Sequence, residues 1–264
     1  NDAANAGLLE DGTLYVAKFG YTGTDMSGRG EWVELTYGKN GLTAENGFDS
    51  QAEILIHTRM AATAVGATTM DRPEWVAVHP TLAEAYCALT NNSERGAKPN
   101  KGGVEQAVGG PNPREKNGYG QIVRWRPDGQ NHGAGAFSWD LYVMAGNPDV
   151  HPGTHYAGSA NVNAGNMFNS PDGIAFDGDG RLWIQTDGNY KDKGDFAGMG
   201  NNQMLCGNPA TGEIRRFLTG PVACEITGIS FTPDQKTMFI GVQHPGEKRA
   251  ASNFPGGSTA QVQA

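Results

Sequence analysis

Three acidic residues stand at comparable places along the chain: Glu74 after Arg72-Pro73, Asp172 after Pro171, and Glu225 before Thr227-Gly228. Each sits where a short apolar strand begins. Carboxylates that recur at the heads of separate strands and converge on one channel suit Ca²⁺ or another hard cation, which takes about six to eight oxygen ligands. Taken singly, Pro171-Asp172-Gly173 is also a turn sequence and Glu225 a plain surface residue; recurrence is what favours a site. Arg72 places a cation beside Glu74. Its planar fork can hold a phosphate while the carboxylate holds a metal, or the two can form a surface salt bridge that contributes little. Asn91 and Asn92 offer neutral oxygens or the cap of a turn, and Arg114, in Asn112-Pro113-Arg114-Glu115, reads as a solvated loop arginine.

Other motifs carry less. His151 and His155 have the spacing of a zinc-binding helix, but Pro152 and Gly153 between them forbid that helix and the general-base Glu is missing. Asp177-Gly178-Asp179-Gly180 resembles the start of a calcium loop without its distal Glu, so it reads as a hairpin turn. The segment Gln243-His244-Pro245-Gly246-Glu247 either lines a site or closes a strand. The sequence holds no GxSxG, no Walker loop and no GxGxxG ahead of a helix, which removes serine hydrolases, nucleotide switches and Rossmann enzymes. Cys87, Cys206 and Cys224 form no CxxC pair and support neither a disulfide framework nor a structural zinc site.

The elements that must position these residues are short and alternate between apolar and polar positions. Strands are expected at Thr13–Lys18, Glu31–Tyr37, Glu74–Val78, Glu84–Thr90, Gln121–Trp125, Phe137–Met144, Gly173–Phe176, Leu182–Thr186, Met204–Cys206, Ile214–Leu218, Ile226–Phe231 and Met238–Val242. Turns rich in Pro, Asp and Gly join them in pairs. The hairpins that begin near Arg72, Ser170 and Thr227 resemble one another, and the intervening hairpins make the repeat four strands, the size of a propeller blade. Roughly four such units are expected, fewer than most closed rings have. Long Gly- and Asn-rich loops, Asn92 to Gly118 and Gly146 to Ser170, show no helical period; they are disordered or they cover a site.

Composition narrows the partners. Glycine makes up 39 of 264 residues, about twice the usual share, which argues against a helix bundle. The net charge of −8 has the wrong sign for a protein that holds nucleic acid, and a mean hydropathy of −0.49 leaves no room for an inserted helix. An acidic chain that handles an anion must recruit positive charge locally, through a few Arg residues or bound cations. The first residues, Asn1 to Gly7, are small and polar and carry no targeting signal. A chain that begins with Asn reads as a processed product, an edited product or an internal fragment.

The sequence resembles the PhoX family of alkaline phosphatases. The resemblance is carried by Met70-Asp71-Arg72-Pro73-Glu74-Trp75, Leu89-Thr90-Asn91-Asn92, Asn117-Gly118-Tyr119-Gly120-Gln121-Ile122-Val123-Arg124-Trp125, Ser170-Pro171-Asp172-Gly173-Ile174-Ala175-Phe176-Asp177, Leu182-Trp183-Ile184-Gln185-Thr186-Asp187-Gly188, and Glu225-Ile226-Thr227-Gly228 through Gln243-His244-Pro245-Gly246-Glu247. It implies an all-β fold, part of the ring of a six-bladed β-propeller in one domain over 1–264, with an N-terminal half missing that would supply further ligands. It also implies an exported, periplasmic or secreted phosphomonoesterase with calcium and iron in the channel. Glu74, Asp172 and Glu225 would then be metal ligands, Arg72 would hold the phosphate as catalytic residue, and Asn92 would assist in substrate binding. The cations would neutralise the phosphoryl oxygens, so no protein serine is needed. Two other readings stay open on the residues: a calcium-dependent propeller lactonase, and a propeller that binds a partner without catalysis.

Overall fold

The computed structural model describes residues 12–246 and residue 254. Asn1 to Gly7 and Glu247 lie outside the described residues. Twelve strands are present among them, every one at a place the alternation predicts: β1 (Tyr15–Phe19), β2 (Ser27–Glu34), β3 (Pro73–Val78), β4 (Ala85–Leu89), β5 (Gln121–Pro127), β6 (Ala136–Met144), β7 (Pro171–Phe176), β8 (Leu182–Thr186), β9 (Gln203–Asn208), β10 (Glu213–Thr219), β11 (Glu225–Phe231) and β12 (Met238–Gln243). The turns behave as their residues dictate. In the β7–β8 turn the Asp177 carboxylate accepts from the backbone N–H of Asp179 and of Arg181, at 3.0 and 2.9 Å, while Gly180 takes a φ of 78°. Asp177 is thus committed to the hairpin, as its missing calcium-loop partner suggested.

The strands form all-antiparallel meanders. β3 to β6 pair in chain order, and β2 then β1 extend this sheet from the β6 edge. A second sheet is β7 to β10, again in chain order, and β11 pairs with β12 alone. The expected four units are therefore two complete meanders and one hairpin, because β1 and β2 join an existing sheet edge instead of starting a new unit. The similarity of the three hairpins is physical: β3, β7 and β11 each lose register with their neighbour near the strand head, between Pro73 and Val76, Pro171 and Ile174, and Thr227 and Ile229. A bulge there twists the strand and re-aims its first side chains. β3 packs against β7, and β7 against β11, so the three heads lie near one another.

Apolar layers hold the sheets together. Tyr86, Ile122, Val143, Phe168, Ile174, Leu182, Ile184 and Leu205 fill the space between the first two sheets; Trp183, Met204, Cys224 and Ile226 do so between the second and third. Two short helices, α1 (Gln51–Ile56) and α2 (Thr58–Ala64), which the alternation of strands did not foreshadow, bury Ile54 and Ala61 against Leu35, Leu42 and Phe48. No helix among the described residues is long and apolar enough to cross a membrane.

The two long loops are ordered by buried polar side chains. Arg114, expected to be solvated, is 1% exposed; its guanidinium donates to the carbonyls of Ala145, His155 and Gly120 and to Gln121. Burial lowers its pKa to about 10. Asn147 and Asn166 do similar work in the second loop, each donating to two backbone carbonyls. The chain passes close to itself at Gly120, which has a φ of 77° and whose Cβ, if it had one, would collide with the carbonyl oxygens of Leu89 and Thr90. Gly120→Ala is expected to destabilise the fold by about 2–3 kcal/mol in urea titrations, through backbone strain and overpacking together. A loss under about half a kcal/mol would show that the loop moves aside freely.

Candidate functional site

The heads of β3 and β7 are built alike. Arg72 and Ser170, each followed by proline, take left-handed φ values of 50° and 54°, a conformation disfavoured for a residue with a side chain. Both are pinned from the strand opposite: the N–H of Thr90 donates to the Arg72 carbonyl, and the N–H of Asp187 to the Ser170 carbonyl, each at 3.1 Å. Left-handed residue, proline, carboxylate is thus one device used twice, and it delivers Glu74 and Asp172. Glu225 opens β11 directly, opposite Gln243, whose amide donates to its carboxylate at 2.8 Å.

The carboxylates feel one another. The half-buried Asp172 carboxyl is pushed up to about 6, by desolvation first and then by the charges of Glu74 and Asp187, with Arg72 and the Thr90 hydroxyl opposing. Burial also raises Glu225, helped by Asp187 and Asp172 and opposed by His244 and Gln243. Glu74, Asp172, Asp187 and Glu225 therefore share one field, and Asp187 is the carboxylate common to both shifts. The structure brings together the sequence-predicted Arg72, Glu74, Asp172 and Glu225 and adds Asp187. The signal for Asp187 was its position directly after β8, where Thr90 follows β4.

Arg72 reaches Glu74 at 3.5 Å and Asn91 Oδ1 at 3.2 Å, and its side chain stays half exposed. Asn92 turns the other way. Its amide donates to Gln106, its side-chain oxygen accepts from the N–H of Glu94, and its backbone N–H bonds the Asn117 carbonyl. The amide beside the arginine is that of Asn91.

Two buried oxygens near the strand heads lack partners: Thr90 Oγ1 and Gln185 Oε1. Both residues are fully buried. The Thr90 hydroxyl lies near enough to Asp172 to favour its charged form without making a well-formed hydrogen bond. An orphaned Thr90 hydroxyl beside a carboxylate that feels its neighbours' charges fits a cation-binding donor set, since a hard cation satisfies both at once. Among the described residues, no three His, Cys, Asp or Glu side chains come close enough to hold a metal by themselves. The cysteines are poor candidates: burial pushes the Cys87 thiol up to about 12 and the Cys224 thiol up to about 11, far from thiolate chemistry. His151 packs its ring against Tyr119 and Tyr156.

In class, this is an all-β protein that sets one arginine and three carboxylates, Glu74, Asp172 and Glu225, at the heads of neighbouring strands, with Asp187 at the end of β8 within their electrostatic reach. The family model for alkaline phosphatase PhoX matches residues 1–246. The chain belongs to that family. A solved structure, "Pseudomonas fluorescens PhoX in complex with vanadate, a transition state analogue", is 58% identical in sequence and superposes with a TM-score of 0.92; the match covers 99% of this chain and 44% of that one. The chain thus spans less than half the length of that relative. No curated protein sequence matches.

Proposed function

We propose that the chain carries the arginine and part of the cation-binding carboxylates of a metal-dependent phosphomonoesterase. Arg72 holds the phosphate, and Glu74, Asp172, Glu225 and Asp187 hold cations. The observation that carries this reading is the strand-head device used twice, which sets Glu74 beside Arg72 and Asp172 at the equivalent place of the neighbouring strand, where burial, Glu74 and Asp187 push the Asp172 carboxyl up to about 6. Such repulsion is relieved by a cation, and strongly shifted carboxyls gather at functional sites. Support also comes from the Pseudomonas fluorescens relative, whose structure is a complex with vanadate, a transition state analogue.

The donor set is all hard oxygen and fits calcium. Among the described residues, no cysteine belongs to a cluster of three His, Cys, Asp or Glu side chains that could hold an ion. Bound cations supply charge neutralisation at the phosphoryl oxygens. For its part, Arg72 presents N–H groups in a plane matched to two phosphate oxygens. The left-handed backbone and Asn91 fix where that plane points. Glu74 lies 3.5 Å from the same guanidinium. The substrate class is a small phosphate monoester, handled outside the cytoplasm in the periplasm or as a secreted protein. The successive meanders are consecutive blades of a propeller, and a further length of chain, such as the relative has, closes the ring.

The test joins metal analysis by plasma mass spectrometry with turnover of an aryl phosphate and of a lactone. Calcium in the purified chain with phosphate-ester turnover is expected. Arg72→Ala should raise KM at least tenfold, about the value of one charge-assisted contact, and leave calcium in place. Lactone turnover alone would select the lactonase, and neither metal nor turnover would select a binding scaffold.

A further inference from the structure

We infer that Asn91 is a positioning residue, which fixes the direction of the Arg72 guanidinium and ties it to the head of the next sheet. The inference rests on the reading of Arg72 as the phosphate-holding residue. Asn91 stands just beyond β4, and its side-chain amide is used at both ends. Its Oδ1 accepts from Arg72 Nη1 at 3.2 Å, and its Nδ2 donates to Ser170 Oγ at 3.0 Å. Ser170 in turn donates to Asn169 Oδ1 at 3.1 Å, and that oxygen also accepts from the N–H of Asn189 at 2.9 Å.

The direction of every bond in this chain is determined. A guanidinium only donates, so the Asn91 oxygen must face it; the Asn91 NH₂ then faces the serine hydroxyl, whose O–H donates to Asn169 Oδ1. Ser170 is the left-handed residue that precedes Pro171-Asp172. One amide therefore spans from the anion-binding arm of the first meander to the residue that sets the carboxylate of the second. The backbone N–H of Ser170 already reaches the first meander, donating to the Tyr119 carbonyl at 2.6 Å; what Asn91 adds is the tie to the guanidinium itself.

A second contact shows why a bridge is useful. Arg72 is half exposed, and its only other side-chain partner among the described residues is Glu74 at 3.5 Å, a long contact. An exposed arginine loses considerable rotamer freedom when it grips an anion. Asn91 removes part of that freedom beforehand without neutralising the charge, which a carboxylate in the same place would do.

This gives a test that a mere turn residue fails. Inorganic phosphate and vanadate binding is measured by calorimetry on the wild-type chain, Asn91→Ala and Asn91→Asp, with calcium present and thermal melts in parallel. Asp serves a turn as well as Asn does, so a structural role predicts a normal melt and normal affinity for Asn91→Asp. Positioning predicts otherwise. Asn91→Asp should melt normally yet bind phosphate about tenfold or more weakly, because its carboxylate pairs with Arg72 and competes with the anion. Asn91→Ala should weaken binding about three- to tenfold, the value of a modest preorganising hydrogen bond. Equal affinity in all three chains would overturn the inference and leave the role of Arg72 standing. A wild-type chain that binds neither anion would overturn the reading of Arg72, and this inference with it.

Discussion

Asp71→Ala is expected to cost the fold about 3–5 kcal/mol, the loss typical when one member of a buried ion pair is removed and the other stays behind. Asp71 and Arg95 are 0% and 1% exposed, and Arg95 Nε donates to the carboxylate at 2.7 Å. The second carboxylate oxygen accepts from Asn117 at 2.9 Å and Gln121 at 3.4 Å. The rest of the guanidinium bonds Thr69 and the Ala107 carbonyl. Removing Asp71 strands a guanidinium with no water to solvate it. Arg29–Asp128 makes the contrast: its side chains are 62% and 45% exposed, so Asp128→Ala should leave the unfolding midpoint almost unchanged. Urea unfolding of both variants checks the ranking. In a double-mutant cycle, Asp71→Leu with Arg95→Met should recover much of the loss, since the two charges leave together. If Asp71→Ala proved as mild as Asp128→Ala, water would have to reach the pair and the loop it anchors would be open.

That pair also illustrates what the sequence could and could not say. Strands were legible because half-buried antiparallel strands alternate, and all twelve fall where alternation and turn residues place them. How strands group into sheets was less legible, since β2 pairs with β6 across more than a hundred residues and no local pattern encodes an edge that distant. The helices left one unread sign. Ser50 caps α1 by accepting from the N–H of Glu53, and the Glu53 carboxylate reaches back to the N–H of Asp49, which is close to the capping pattern Ser-x-x-Glu.

The site divides in the same way. Arg72, Glu74 and Asp172 follow a local rule, a proline after a left-handed residue, and local rules can be read. Asp187 owes its place to the strand opposite. The choice between Asn91 and Asn92 depends on which way each side chain leaves the backbone. Arg114 looks like any loop arginine until three carbonyls from separate segments are seen to surround it.

The repulsion among the carboxylates makes a prediction whose sign can be followed from Asp172. Its folded pKa of about 6 lies above the value of roughly 3.9 for an unfolded Asp. The folded chain therefore holds the proton more tightly. The contribution to stability is fully present below about pH 4 and is lost as pH rises through about 6. A cation-free chain should gain stability from this group as pH falls from about 8 to 5. At about pH 8 without cations, Asp172→Asn should melt a few degrees higher than wild type, with the difference closing towards about pH 5.

Calcium should reverse the order. At about a hundredfold excess over Kd it stabilises a chain that binds it by about 2.7 kcal/mol, or about 5–10 °C for a domain of this size. Wild type should show that shift and Asp172→Asn should lose most of it. Melts in chelator and in calcium, at several pH values, decide the matter. If Asp172→Asn melts below wild type in chelator at high pH, the carboxylates do not strain the empty site. If calcium lifts both chains equally, the cation binds away from Asp172. The combination of a gain without calcium and a loss with it arises only where a fold tolerates repulsion at the heads of its strands in order to hold a cation there.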